Sequence, residues 1–219
     1  MSGDTDGRRR ALAWLILAAG AVVLVLSAYR LAVPETPVPP SAPAISLSPV
    51  DGGAAVATRV VIPSLGIDLP VVSGDVRVPD QGPPGYPPCD VALYLTGFRQ
   101  PGERGTTYLY AHARPGMFLP LLEASETDDG ASLLDATVEV YTSDEVRHEY
   151  RISRVKRHAL DLSLAQDIPA RSQRLVLQTS EGPRGTAAKL QVLAVPVATA
   201  SAAPGDAHPR AAPRGCYAD

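Results

Sequence analysis

The sequence predicts a mainly β domain of about eight short strands that follows a membrane-spanning helix. Three observations favour this fold class. Glycine (18 residues) and proline (22) are abundant among the 219 residues, aromatic residues are only 5%, and short apolar runs recur without a long helical period. This composition is typical of turn-rich β proteins rather than of helical bundles. Eight short strands within roughly 140 residues predict a closed barrel or a sandwich.

The charge balance and the cysteine content exclude several kinds of site. The net charge of -3 at pH 7 gives no indication of a nucleic-acid partner. The two cysteines, Cys89 and Cys216, belong to no CxxC motif or Cys/His cluster. The sequence therefore predicts no structural zinc and no other metal site. It predicts no cofactor either.

The N-terminal segment has the features of an uncleaved membrane anchor. Residues 11–29 form a run of 19 residues without a charge, close to the roughly 20 needed to cross the hydrocarbon core. Three arginines at positions 8–10 precede this run, so we expect residues 1–10 to stay in the cytoplasm and the rest to lie outside the plasma membrane. A cleaved signal peptide is the alternative, but its apolar region is usually shorter. We assign the single-pass anchor to residues 11–33.

Composition divides the rest of the chain into three parts. Residues 34–57 are rich in Pro, Ser and Ala, cannot bury a core, and predict a semi-extended linker that holds the domain away from the bilayer. Residues 58–198 carry the strand signals and form the predicted domain. Residues 199–219 resemble the linker in composition, so the sequence predicts a disordered C-terminal tail.

Strand signals follow one another through the predicted domain. The first two apolar runs are separated by Gly66, and two alternating runs flank a polar SDE turn, which is typical of a hairpin. Two brief helices are predicted near 117–124 and 160–166. The eight predicted strands span residues 59–65, 68–74, 91–95, 106–113, 136–143, 146–155, 174–179 and 190–197.

Four segments of this domain, in order, resemble the sortase family. RVVIPSLGIDLPVV (59–72) is similar to the opening strands of sortases, and PGERGTTYLYAHARPGMFLPLL (101–122) to the segment with the family histidine. RLVLQTSEGP (174–183) stands where sortases have an L-x-L-x-T-C motif, and KLQVLAVPV (189–197) is similar to the strand after their basic catalytic residue. The arrangement most resembles small actinobacterial-type membrane sortases. It implies an eight-stranded sortase-type β-barrel with one or two short helices, plus an N-terminal transmembrane helix.

The resemblance also implies a chemistry and a set of partners. Sortases are transpeptidases in which a cysteine attacks a backbone carbonyl within the sorting-signal peptide of a secreted or surface protein. An amine acceptor, such as that of cell-wall peptidoglycan, then resolves the thioacyl intermediate. A histidine shuttles the proton, and an arginine steadies the oxyanion or the substrate. The implied partners are a surface protein with a sorting signal, a cell-wall or other amine acceptor, and the lipid bilayer around residues 11–33.

His112 matches the family histidine by position, and Ser180 stands at the position of the nucleophilic cysteine. An imidazole titrates near pH 6.5 and serves as acid and base. A serine hydroxyl needs a general base, which serine hydrolases usually orient with a carboxylate, and Glu181 and Asp90 are the candidates. Three interpretations stay open: Ser180 is a nucleophile with His112 as base, the domain is an inactive relative that binds a ligand, or Cys89 replaces the family cysteine.

The resemblance names further candidates for the basic group, and the cysteines raise a separate question. Lys189 is the best positional match for the family arginine, and Arg184 is the second. A lysine lacks the bidentate fork of arginine but can still stabilise an oxyanion. Outside the membrane a disulfide is permitted, so Cys89 and Cys216 are candidate partners.

We therefore expect a membrane-anchored, extracytoplasmic sortase-family protein that performs acyl transfer (transpeptidation) or hydrolysis on peptide signals of cell-surface proteins. The alternative is a catalytically inactive sortase-like domain that binds a peptide or a cell-wall component. A purely structural envelope protein is a third interpretation.

Overall fold

The structure is a computed structural model that describes residues 54–79, 86–167, 169, 172–183 and 186–216. The predicted cytoplasmic segment, the predicted anchor and most of the predicted linker lie outside these residues, as does Arg184. Within the described part of the chain, no helix is both long enough and apolar enough to cross a bilayer.

Eight strands close into a barrel in the order β1-β2-β3-β4-β7-β8-β6-β5. Neighbouring strands run antiparallel, except that β2 pairs with β3 and β4 with β7 in parallel. The predicted mainly β fold with eight strands is confirmed, and the closed order selects a barrel over a sandwich. The strands are β1 (Ala57–Ile62), β2 (Ile67–Ser73), β3 (Ala92–Tyr94), β4 (Gly105–Tyr110), β5 (Thr137–Thr142), β6 (Val146–Ala159), β7 (Gln173–Ser180) and β8 (Lys189–Ser201).

Helices are short and lie in the connections between strands. The first two α-helices correspond to the two predicted from the sequence, and a proline in the first turn of α1 suits a position whose N–H needs no helical partner. Gly66 adopts a left-handed conformation (φ 62°) that ends a 3₁₀ turn between β1 and β2. The helices are α1 (Leu119–Glu126), α2 (Ser163–Gln166) and α3 (Pro204–Ala207), with 3₁₀ segments at Pro63–Leu65 and Asp128–Leu133.

Alternate residues of each strand fill the barrel interior. Leu175 and Leu177 of β7 are fully buried in the main core, together with Leu190 and Val192 of β8. Val176, between the two leucines, belongs instead to a small cluster on the outer face. This period of two is the strand pattern seen in the sequence. Each fully buried Leu or Val side chain contributes about 1.5–3 kcal/mol relative to exposure.

The long strands β6 and β8 extend beyond their predicted ends because they pair with each other over most of their length. Val146 at the start of β6 lies opposite Ser201 at the end of β8, and Ala159 lies opposite Lys189. The last residues of β8 are exposed and carry no alternating apolar pattern. Their strand conformation therefore comes from pairing with β6, which the composition of this segment does not reveal.

The described part of the C-terminal tail is ordered, contrary to the sequence prediction for 199–219. After β8 the chain forms α3, whose Ala207 is fully buried. The chain then returns to the barrel, where Arg214 pairs with Cys89 in an isolated β-bridge. A disulfide joins Cys216 to Cys89, with a Cα–Cα distance of 5.3 Å. A low-complexity composition predicts disorder only when no such tertiary ties exist.

Two ion pairs add to this attachment of the tail. The Arg59 guanidinium on β1 contacts the Asp206 carboxylate of α3 at 2.9 Å, and it also pairs with Asp68 at 2.6 Å. Arg214 pairs with Asp90. The exposed carboxylates limit what each pair contributes, so the disulfide is the principal constraint on the tail.

We expect replacement of Cys216 by serine to lower the free energy of unfolding by about 2–5 kcal/mol, because the cross-link restricts the unfolded chain over a long loop. The two cysteines are 127 residues apart in sequence. Cys89→Ser should lower the free energy of unfolding by a similar amount. The double variant should be about as stable as each single variant, because either substitution alone already removes the cross-link. Urea unfolding followed by circular dichroism measures this. Losses that add in the double variant would show that the two cysteines act independently.

Candidate active site

Two parallel strands bring His112 and Ser180 to the same edge of the barrel. The register of β4 and β7 pairs Tyr110 with Gln178. The backbone N–H of Ala111 extends this ladder by donating to the Gln178 carbonyl at 3.1 Å. Two residues further along each chain, the same register places His112 beside Ser180. The two positions that the family resemblance selects are therefore neighbours in the fold.

The antiparallel neighbour β8 adds Lys189 to this row. The register of β7 and β8 pairs Ser180 directly with Lys189. The Lys189 Nζ donates to Ser180 Oγ at 3.1 Å and to the Thr186 carbonyl at 2.7 Å. Among the described residues, the bond from Lys189 is the hydrogen bond that the Ser180 side chain makes. The row of His112, Ser180 and Lys189, which are the catalytic candidates of the sequence analysis, is called the catalytic row below.

Side-chain alternation turns the catalytic row away from the barrel interior. Thr179, the residue before Ser180, is buried, and its Oγ1 donates to the Ala111 carbonyl at 2.9 Å. Leu190, the residue after Lys189, is buried in the core. Because neighbouring residues of a strand point to opposite faces, Ser180 and Lys189 face outward, where both are half-buried. A ligand on the outer face of the barrel can reach them.

A backbone carbonyl orients the His112 ring. Its Nε2 lies 2.7 Å from the Pro87 carbonyl oxygen, which can only accept, so Nε2 carries a proton and Nδ1 holds the lone pair of the neutral ring. Burial lowers the pKa of His112, the bond to Pro87 opposes this, and the nearby charge of Arg114 lowers the pKa further. The ring is therefore neutral at neutral pH and able to accept a proton.

The two candidate carboxylates are bound elsewhere. Glu181 is almost fully buried and accepts from the His158 backbone N–H at 2.9 Å, while its other oxygen lies 2.7 Å from the His158 Nδ1. Arg157 adds a contact at 3.7 Å. Asp90 pairs with Arg214. Among the described residues, the Nε2 of the His112 ring therefore bonds to the Pro87 carbonyl and not to either of these carboxylates.

The disulfide lies next to the carbonyl that holds His112. Cys89 is two residues after Pro87, and its N–H donates to the Arg214 carbonyl of the tail at 2.9 Å. The tail therefore fixes the segment that positions the histidine. A sulfur held in a disulfide is not a thiolate, so the interpretation of Cys89 as the replacement nucleophile has no support here.

The sequence does not identify Pro87 as part of the site. A carbonyl group belongs to every residue, so it has no sequence signature of its own. The nearby Cys89 and its partner in the tail were the available signal, because a cross-link at this point fixes the preceding residues.

The catalytic row combines a hydroxyl, a cationic donor bonded to that hydroxyl, and a neutral imidazole two residues beyond the end of the adjacent strand β4. These are the kinds of group that acyl transfer by a serine requires: a nucleophilic oxygen, a proton acceptor and a positive charge. Among the described residues, no group of three or more His, Cys, Asp or Glu is arranged to hold a metal ion.

Comparison with known structures shows similarity to sortases. Listeria monocytogenes sortase A has a TM-score of 0.51 at 16% identity, over 68% of this chain and 91% of that one. The pilus-related sortase C of Group B Streptococcus has a TM-score of 0.51 at 17% identity, over 65% and 68%. Sortase C1 from Streptococcus suis has a TM-score of 0.50 at 18% identity, over 65% and 73%. At these identities the similarity establishes the fold alone.

Sequence comparison extends this result from fold to family. A search of curated proteins found no match. The model of the sortase domain family matches residues 60–197, which is more than half of the chain and contains the whole catalytic row. The chain therefore belongs to the sortase family.

Proposed function

We propose that this chain is an acyl-transfer enzyme of the sortase type in which Ser180 serves as the nucleophile. The hydrogen bond of 3.1 Å from Lys189 Nζ to Ser180 Oγ is the observation that carries the proposal. This bond holds the hydroxyl beside a positive charge, and the neutral His112 lies two residues beyond the end of β4, the parallel neighbour of β7. Lys189 takes the role of the family arginine.

The first half of the reaction forms an ester on Ser180. Nδ1 of His112 takes the hydroxyl proton while Oγ attacks the carbonyl carbon of a peptide bond. The negative charge that develops on the carbonyl oxygen is stabilised by the Lys189 ammonium. The proton passes from His112 to the leaving nitrogen, the C–N bond breaks, and the acyl group remains on Ser180.

The second half of the reaction releases the acyl group. His112 removes a proton from an incoming amine or water, which attacks the ester carbon, and the proton returns to Ser180 Oγ as the C–O bond breaks. An amine gives transpeptidation and water gives hydrolysis. The substrate class we propose is the sorting-signal peptide of a secreted or surface protein, with an amine of the cell wall as acceptor.

We also propose that the enzyme works at the outer side of the plasma membrane. Residues 11–33 would anchor the chain with its N-terminus in the cytoplasm, and the Pro-rich linker would carry the barrel away from the bilayer. A disulfide between Cys89 and Cys216 supports this location, because such bonds persist in oxidising compartments.

One observation favours a second candidate function, a binding module without turnover. Both carboxylates that the sequence offers to orient a catalytic histidine, Glu181 and Asp90, are bound to other side chains. A protein of this kind would hold the sorting peptide or a wall component on the same outer face.

Labelling with a fluorophosphonate tests the nucleophile, because this reagent forms a stable bond preferentially with activated serines. We expect one label per chain, located at Ser180 by peptide mass spectrometry, and none on the Ser180→Ala variant. Ser153→Ala on β6 is the matched control and should label as the parent does. If the folded parent takes no label while it still binds peptide, the binding-module candidate is correct instead.

The labelling rate should rise with pH through a midpoint below 6.5, the ordinary value for histidine, and then stay constant toward neutrality. The reason is that burial lowers the pKa of His112, and only the neutral ring accepts the Ser180 proton. His112→Gln should remove this transition and most of the rate. A midpoint above the ordinary histidine value would contradict the proposed environment.

Replacing Lys189 by methionine should reduce the labelling rate by about 10²–10³, the usual effect of removing one oxyanion donor. Lys189→Arg should recover part of the rate, because it restores a positive donor at the same place. Circular dichroism controls for folding. Equal rates for Lys189→Met and the parent would leave Lys189 with no role in the reaction.

Ser180→Cys should produce a thiol that alkylates faster than an unperturbed cysteine at pH 7, because the adjacent Lys189 ammonium favours the thiolate. The rate of reaction with iodoacetamide measures this. The double variant Ser180→Cys with Lys189→Met is the matched control and should react more slowly. An inert thiol in the single variant would show that the site does not activate a nucleophile.

A further inference from the structure

We infer that the outer face of the barrel carries a second site, which binds a phosphate group. A pocket of about 200 Å³ lies beside α2 and shares no residue with the catalytic row. This phosphate pocket is lined by Arg154, Lys156, Ser163, Leu164, Asp167 and Arg174. The inference goes beyond the proposed acyl transfer and does not depend on it.

The phosphate pocket is positively charged, whereas the chain as a whole has a negative net charge. Arg154 and Lys156 come from β6 and Arg174 from β7, so three cations converge from two strands on a single cavity. Asp167 is the one carboxylate among the lining residues that the structure describes. The full chain has a net charge of -3, so this local excess of positive charge is not a consequence of a basic composition. Such a concentration attracts an anion.

Two of the cations are available to a ligand. Arg154 is exposed, and its side chain makes no hydrogen bond or ion pair with the described residues. The Nη1 of Arg174 donates to the Leu164 and Asp167 carbonyls at 3.2 Å each, which holds the guanidinium in place and leaves its Nε and Nη2 outside these bonds. The pocket therefore offers one guanidinium held by backbone carbonyls and one exposed guanidinium.

Lys156 is a weaker contributor because it already has partners. Its Nζ contacts the exposed Asp161 carboxylate at 2.9 Å and the Ser163 hydroxyl at 2.9 Å. The lysine supplies positive charge at the wall of the pocket, and Asp161 offsets part of that charge.

The cations also act on each other. Burial lowers the pKa of Arg174, the charge of Arg154 lowers it further, and Asp167 opposes the shift. Two like charges held at one cavity gain stability when an anion lies between them.

Phosphate is the anion that best fits this arrangement. Guanidinium groups bind phosphate oxygens through paired N–H donors, and two of them can engage different oxygens of a tetrahedral group. The ligand class is a phosphate monoester or diester. A free phosphate compound and the diester of a lipid headgroup or polymer share this chemistry, and the choice of probe separates them.

Isothermal titration of the full-length chain with inorganic phosphate and with glycerophosphoglycerol, a soluble diester, tests the inference. We expect saturable binding of one anion per chain. Arg154→Gln should weaken it about tenfold, the usual effect of losing a charge-assisted bond. Asp167→Asn should tighten it, because the substitution removes the opposing carboxylate but keeps the backbone carbonyl that holds Arg174. Tighter binding of the diester points to a headgroup or polymer, and tighter binding of inorganic phosphate points to a free compound.

Arg151→Gln is the matched control. This residue is an exposed arginine on the same strand that does not line the pocket, and its loss changes the net charge equally. The anion affinity of the Arg151→Gln variant should stay within about twofold of the parent's, because the charge that is removed lies outside the pocket and is screened by salt. If Arg151→Gln and Arg154→Gln weaken anion binding equally, the effect comes from the net charge of the chain, and the proposed site is wrong. No saturable binding of either probe would overturn it as well.

Discussion

The parallel pairing of β4 with β7 is the constraint on which the site depends. These strands are distant in sequence, and their register sets which side chains meet at the edge of the barrel. The pairing of Tyr110 with Gln178 leads directly to the neighbouring positions of His112 and Ser180. A slip of one residue in β7 would turn Ser180 into the core and Thr179 outward. The buried leucines of β7 oppose that slip, so the packing of the core also fixes the geometry of the chemistry.

The support that the described residues give to the catalytic row includes a backbone hydrogen bond and a disulfide. The Pro87 carbonyl holds His112, and the disulfide of Cys89 with Cys216 holds the segment that contains Pro87. The C-terminal tail therefore belongs to the active face of the barrel, although it lies beyond the region that the family model matches. The only side-chain partner that the described residues give to Ser180 is Lys189, which we propose as the electrostatic element of the site.

The sequence predicted the strands well because their alternation reflects burial within the barrel, and the four sortase-like segments selected His112, Ser180 and Lys189. Three features could not be predicted. The role of Pro87 depends on a carbonyl, which every residue has. The order of the tail depends on pairing with β6 and on a cross-link, neither of which appears in composition. The phosphate pocket joins Arg154 to Arg174, and in sequence these residues resemble the solvated charges of ordinary strands.

The measurement that tests the account most directly is the reaction of the purified chain with p-nitrophenyl acetate, an activated ester that needs no sorting signal. An activated Ser180 should release about one equivalent of p-nitrophenolate in a rapid burst, followed by slower turnover, because the acyl-enzyme accumulates. Peptide mass spectrometry of the quenched burst should place the acetyl group on Ser180. A reaction without a burst, or an acetyl group on Lys189 in place of Ser180, would contradict the central claim that this sortase uses a serine nucleophile.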